Sequence, residues 1–92
     1  MAKVVTLSHK ARFHLDEIIA NVVEYTGSAI SGKRLLEEFY EKFELIGFLP
    51  KSNKLLENGT REAFCRSYRI IYEELDDEVR ILMIMHSRKK FP

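Results

Sequence analysis

The chain has 92 residues, of which 46% are hydrophobic and 32% charged, with a net charge of +1 and a single cysteine, Cys65. That length gives room for one hydrophobic core, so a single domain over residues 1–92 is expected, and the composition excludes a sizeable disordered segment. The near-neutral balance argues against indiscriminate nucleic-acid binding, one cysteine excludes an intrachain disulfide, and no apolar run is long enough for a membrane span or signal-peptide core, which points to the cytoplasm.

Val4-Val5-Thr6-Leu7 is short and rich in β-branched residues, which predicts a first strand, and Ser8 after it is a helix N-cap. Ala11, Leu15, Ile18, Ile19, Val22 and Tyr25 then recur at three- and four-residue spacing, so they share one face of a helix that Gly27 stops. Beyond Ser28 or Ser31, either of which can cap, Leu35, Leu36, Phe39, Tyr40, Phe43 and Ile46 repeat the pattern. Lys33, Arg34, Glu37, Glu38, Glu41 and Lys42 fall mostly on the other face of this second helix, which ends near Gly47 and Pro50. The short connection at Gly27 makes the pair an antiparallel hairpin whose apolar stripes need a cover.

Pro50 to Asn58 reads as a polar loop closed by the Asn58-Gly59 turn signal. Arg61 to Cys65, Tyr68 to Glu73 and Val79 to Met85 then read as three strands, joined by tight turns at Arg66-Ser67 and at the acidic Leu75-Asp76-Asp77. Links this short make them antiparallel neighbours. The last strand is apolar on both faces, as expected of a central strand covered on both sides. The fold class is α+β, in the order β-α-α-β-β-β, with the helical hairpin packed on a small, mainly antiparallel sheet.

No phosphate-binding glycine loop, paired-cysteine zinc pattern or nucleophile elbow occurs, and the sequence implies no metal or other cofactor. His9 and His14, five apart, fall on different helix faces and read as solvated residues; Cys65 reads as a small buried hydrophobe. Residues 51–92 carry nine Lys/Arg against seven Asp/Glu, and five of those acids are Glu73, Glu74, Asp76, Asp77 and Glu78, so the rest of the C-terminal half is cationic. Arg61, Arg69, His86 and Arg88 are the candidate constellation. Converged on one face they could hold a phosphate, and with His86 as acid or base they could cleave RNA through its 2′-hydroxyl. The plainer alternative is that the arginines form the solvent side of ordinary strands and that Lys89 and Lys90 are a solvated tail.

The stretches LSHKARFHLDEI, FLP, NGTREAF and YRIIYEELDDEVRILMIMHSRKK, in this order, resemble the RelE/ParE superfamily of toxins from type II toxin–antitoxin modules, often called plasmid stabilisation proteins. The resemblance spans essentially the whole chain, and its most specific parts are Gly59-x-Arg61, Tyr68-Arg69-Ile70-x-Tyr72 and His86-x-Arg88. It leans toward ParE-like members, because the helical hairpin is long, no tyrosine follows Tyr72, and His86-x-Arg88 looks like a ParE-type ending. It implies a growth-arresting toxin that inhibits DNA gyrase without catalytic residues of its own. Its target-binding residues would be His86, Arg88, Lys89 and Lys90. It also implies a cognate antitoxin as partner, in a toxin–antitoxin hetero-oligomer, docking at the hairpin grooves and sheet edge. Phe13, Phe48 and Phe91, outside the main stripes, are candidates for that surface. The alternatives are a RelE-like endoribonuclease that cuts mRNA on the ribosome, with Arg61, Arg69, His86 and Arg88 as its catalytic set, or an inactive binding module of the same fold.

Overall fold

The structure is a computed structural model and describes residues 2–88. Strand β1 (Val4–Leu7) enters helix α1 (His9–Thr26) through Ser8, whose hydroxyl accepts the Ala11 amide at 3.0 Å as an N-cap. Gly27 ends the helix in the left-handed conformation, φ 66°, where its amide donates to the Val23 carbonyl. Ser28 caps α2 (Ala29–Phe48), its hydroxyl accepting from the Ser31 amide. This second helix runs through Gly47 and stops at Leu49, the residue before Pro50, where a proline disfavours helical backbone.

The segment read as a polar loop contains a two-residue strand, β2 (Lys54–Leu55), too short to leave a periodic signal. It pairs with β3 (Arg61–Cys65), which continues through β4 (Tyr68–Glu74) to β5 (Glu78–His86). The sheet therefore has five strands in the order β1-β5-β4-β3-β2, with β1 parallel to β5 and every other pair antiparallel.

Both helices pack on one face. Ala11, Leu15, Leu35, Phe39, Phe43 and Ile46 bury themselves against Ala63, Cys65, Ile70, Tyr72, Val79, Ile81 and Ile84. Burying these apolar side chains supplies the main stabilisation of the fold, about 1.5–3 kcal/mol for each large one. Two residues assigned to the stripes turn outward: Tyr25, 93% exposed at the end of α1, and Tyr40.

Strand β5 is paired on both sides, as its apolar composition suggested, but it lies second from the edge; β4, with Ile70, Ile71 and Tyr72 all buried, is the centre. Its two-sided apolarity has a specific cause. The register runs Ile71↔Met83 and then Tyr72↔Ile81, so Leu82 is an extra residue, a β-bulge. The bulge inverts the alternation. Val79 and Ile81 before it and Ile84 and His86 after it therefore share the helix-covered face, while Met83 and Met85 face away.

Candidate target-binding end

The end of β5 is held by its neighbours. His86 pairs with Tyr68 across the strands, their rings 5.8 Å apart and edge to face, and the Tyr68 ring lies 5.7 Å from buried Phe39. The Ser87 amide donates to the Ser67 carbonyl at 2.7 Å, and the Arg88 amide to His86 Nδ1 at 3.3 Å. The β3–β4 turn beneath is pinned in its own right: Arg66, in the left-handed region at φ 52°, makes an ion pair with Glu38 of α2. That guanidinium holds the Glu38 carboxyl below the ordinary carboxylate range. Burial pushes the adjacent Cys65 thiol up, so it is a packed side chain with no thiolate character. Of the proposed target-binding set, His86 is half-buried and Arg88 exposed; Lys89 and Lys90, like Phe91, lie outside the described residues.

The candidate catalytic set does not converge. Arg61 pairs with Tyr72 and so sits on the helix side of the sheet, where its Nη1 donates to the Asn53 carbonyl at 2.8 Å and to the Lys51 carbonyl at 3.4 Å. Tyr72 joins it in holding this loop, its hydroxyl donating to the Pro50 carbonyl at 2.6 Å and accepting from Asn53 at 3.2 Å. Arg69, three residues from Tyr72, points to the opposite face, where its Nε and Nη2 donate to Glu62 Oε2 at 3.1 and 2.5 Å. Both side chains of this pair are nearly buried. His86 is back on the helix side.

A groove of about 530 Å³ opens between α1 and the end of β5, lined by Lys10, Phe13, His14, Tyr68, Met85 and His86 among others. His14 is not the solvated residue it was read as: it is half-buried, and its Nδ1 accepts the Ile84 amide at 3.2 Å. The signal was present, since Ala11, His14, Leu15 and Ile18 make the i, i+3, i+4, i+7 pattern of a buried face. The groove itself had no sequence signal, because it depends on where β1 stops relative to β5. Phe13 and Phe48 are exposed, at 63% and 58%. Among the described residues no group of three His, Cys, Asp or Glu side chains is placed to hold a metal, and no helix is long and apolar enough to cross a membrane.

Solved structures share this architecture. The chromosomal ParDE toxin–antitoxin system of P. aeruginosa superposes with a TM-score of 0.80 at 17% identity, covering 92% of this chain and 96% of that one. The toxin–antitoxin complex RelBE2 of Mycobacterium tuberculosis gives 0.60 at 24% identity, covering 94% and 99%. A conserved hypothetical protein of Helicobacter pylori gives 0.53 at 18% identity, covering 99% and 100%. At such identities these likenesses establish the fold, that of the RelE/ParE superfamily. No curated protein matches the sequence significantly. Residues 5–91 match the family described as ParE toxin of type II toxin–antitoxin system, parDE, and the chain belongs to that family. Within the superfamily it is closer to ParE-like than to RelE-like members.

Proposed function

We propose that this type II toxin acts as ParE-like toxins do, inhibiting DNA gyrase in the cytoplasm and arresting growth without a reaction of its own, in a module that serves plasmid stabilisation. Its target-binding residues are His86, Arg88, Lys89 and Lys90. The observation that carries the proposal is the separation of the candidate catalytic cations. Arg61 and Arg69 lie on opposite faces of the sheet and each is bonded to its own chain, so one phosphate cannot engage both. A ribonuclease would need them together with His86. The rigid mount of His86, through Tyr68 and the Ser67–Ser87 bond, suits a cationic tip that binds rather than reacts.

A cognate antitoxin is the second partner, by likeness to ParDE and RelBE2. Strand β1 supports this, since among the described residues one of its edges has no neighbour in the sheet. Beside it a pocket of about 270 Å³ is lined by Val5, Leu7, Tyr40, Phe43 and Phe48, apolar material for strand addition or a docked helix.

The test replaces Arg88 and Lys89 together with alanine and follows growth, the circular dichroism of the purified chain and its capture by antitoxin. Growth should be restored while fold and capture are retained. Full toxicity in the folded double variant would remove these residues from the target-binding end.

A further inference from the structure

We infer that the groove between α1 and the end of β5 binds a nucleotide, with its base against Phe13 and its phosphate toward Lys10 and His86. The inference goes beyond the gyrase assignment and shares His86 and Arg88 with it.

The groove exists because two strands are unequal. β1 pairs with β5 from Val4↔Glu78 to Leu7↔Ile81 and then turns into α1, whereas β5 continues to His86. Side chains of the helix side take over the exposed edge: the Ser8 hydroxyl donates to the Leu82 carbonyl at 2.8 Å, and His14 Nδ1 accepts the Ile84 amide. Both backbone groups of one residue leave a strand on the same side, and alternate residues leave on the same edge. The Ile84 carbonyl and the His86 amide therefore point toward the groove, an acceptor and a donor on the edge that faces the ligand.

The rest of the lining fits the same ligand. Phe13 is a large aromatic left 63% exposed, with the His14 ring 6.4 Å away, and offers a stacking surface. Because His86 Nδ1 accepts the Arg88 amide, the neutral imidazole carries its proton on Nε2, a donor for a phosphate oxygen. Lys10 adds a positive charge, and Glu17 and Asn21 add groups able to pair with exocyclic base atoms. A volume of about 530 Å³ lies within the usual range for small-ligand pockets.

Of the acids Glu73, Glu74, Asp76, Asp77 and Glu78 around the start of β5, Glu74 is paired with Lys3 and Lys51 and Glu78 with Arg80, while Lys10 and Arg88 stand near the other end of the strand, about 25–30 Å away along nine residues. Lys10 and Arg88 are the charges available to a phosphate at that end, and Glu17 of the groove lies on the side of the base. An extended peptide is the poorer occupant, because to pair along β5 it would need the Ile84 amide that His14 already holds. A planar ligand needs only the groups beyond it.

The purified full chain, isotopically labelled, is titrated with adenosine monophosphate, and separately a fluorescent short oligodeoxyadenylate is titrated with the protein. Saturable binding with NMR shifts at His14, Tyr68, Met85 and His86 is expected. Shifts with the monophosphate identify a free-nucleotide site; saturation by the oligonucleotide alone identifies a strand site. Phe13→Ala should weaken binding about tenfold by loss of stacking and Lys10→Gln should weaken it as well. Lys54→Gln, the same charge change on β2, should leave it unaltered. Absence of saturable binding to either probe, or equal weakening by Lys10→Gln and Lys54→Gln, would overturn the proposal. So would shifts at this groove produced by antitoxin peptide and by neither nucleotide. Because toxicity is not the readout, the proposal can fail while the gyrase assignment stands.

Discussion

Arg69 shows how a residue that looks catalytic can serve the fold. Its guanidinium meets the Glu62 carboxylate with side-chain exposures of only 13% and 10%, on the sheet face away from the helices. Removing one member of a buried pair strands the other charge and typically costs about 3–5 kcal/mol. Arg69→Ala should therefore lower the thermal midpoint by more than about 10 °C, whereas Arg61→Ala, which releases two carbonyls of one loop, should lower it far less. Equal midpoints for the two variants would contradict the structural role of the pair. The division between these arginines was in part legible in the sequence. A two-residue turn at Arg66-Ser67 sets Cys65 opposite Tyr68; counting back along β3 then puts Arg61 on the face of Cys65, and counting forward along β4 puts Arg69 on the other. The face of His86 was not legible, because it depends on the bulge at Leu82, which leaves no mark in a run where every residue is apolar.

Among the elements, α2 and the N-terminal segment bring two backbones into close approach. The Lys3 amide donates to the Gly47 carbonyl at 2.9 Å, and a Cβ on Gly47 would stand 2.8 Å from the Lys3 carbonyl oxygen. Alanine at this position has two opposed effects. It improves helix propensity by up to about 1 kcal/mol, but it forces two backbones apart, an overpacking that costs about 1–3 kcal/mol. We expect Gly47→Ala to destabilise on balance, with a lower urea midpoint; a raised midpoint would mean that the two segments are not in contact. From the sequence Gly47 reads as a helix stop, because a glycine near Pro50 fits that role and one-dimensional pattern cannot show a strand crossing a helix. The caps Ser8 and Gly27 were legible for the opposite reason, since their interactions are local, and of the two candidates Ser28 and Ser31 for the second helix the structure selects Ser28.

For the molecule as a whole, stability should depend on pH through three carboxylates. Glu38 is held below the ordinary value of 4.5 by its bond from Arg66, Glu74 by Lys3, and Glu78 by the Thr6 hydroxyl. A depressed carboxylate stabilises the folded chain while ionised, so the contribution is complete at neutral pH. It fades as pH falls through the ordinary value toward the folded one. Urea midpoints should be level near neutrality and drop below about pH 4.5; a midpoint that rises on acidification would contradict these pairings. At the same scale the acidic run and the cationic ending were visible in the sequence, but their geometry, with Glu74 paired to Lys3 and Lys51 and Glu78 to Arg80, was not. Only the strand order places the acidic turn at one end of β5 and Lys10 and His14 of α1 beside the other.

The most direct test of the toxin's action is to express the chain from a tightly repressed promoter and follow growth, DNA-damage signalling and mRNA integrity in the same culture. A gyrase inhibitor should give growth arrest with induction of the damage response and filamentation while mRNA remains intact. Rapid mRNA cleavage within translated codons, without damage signalling, would contradict that account and make the cationic residues of the sheet the place to look for an active site.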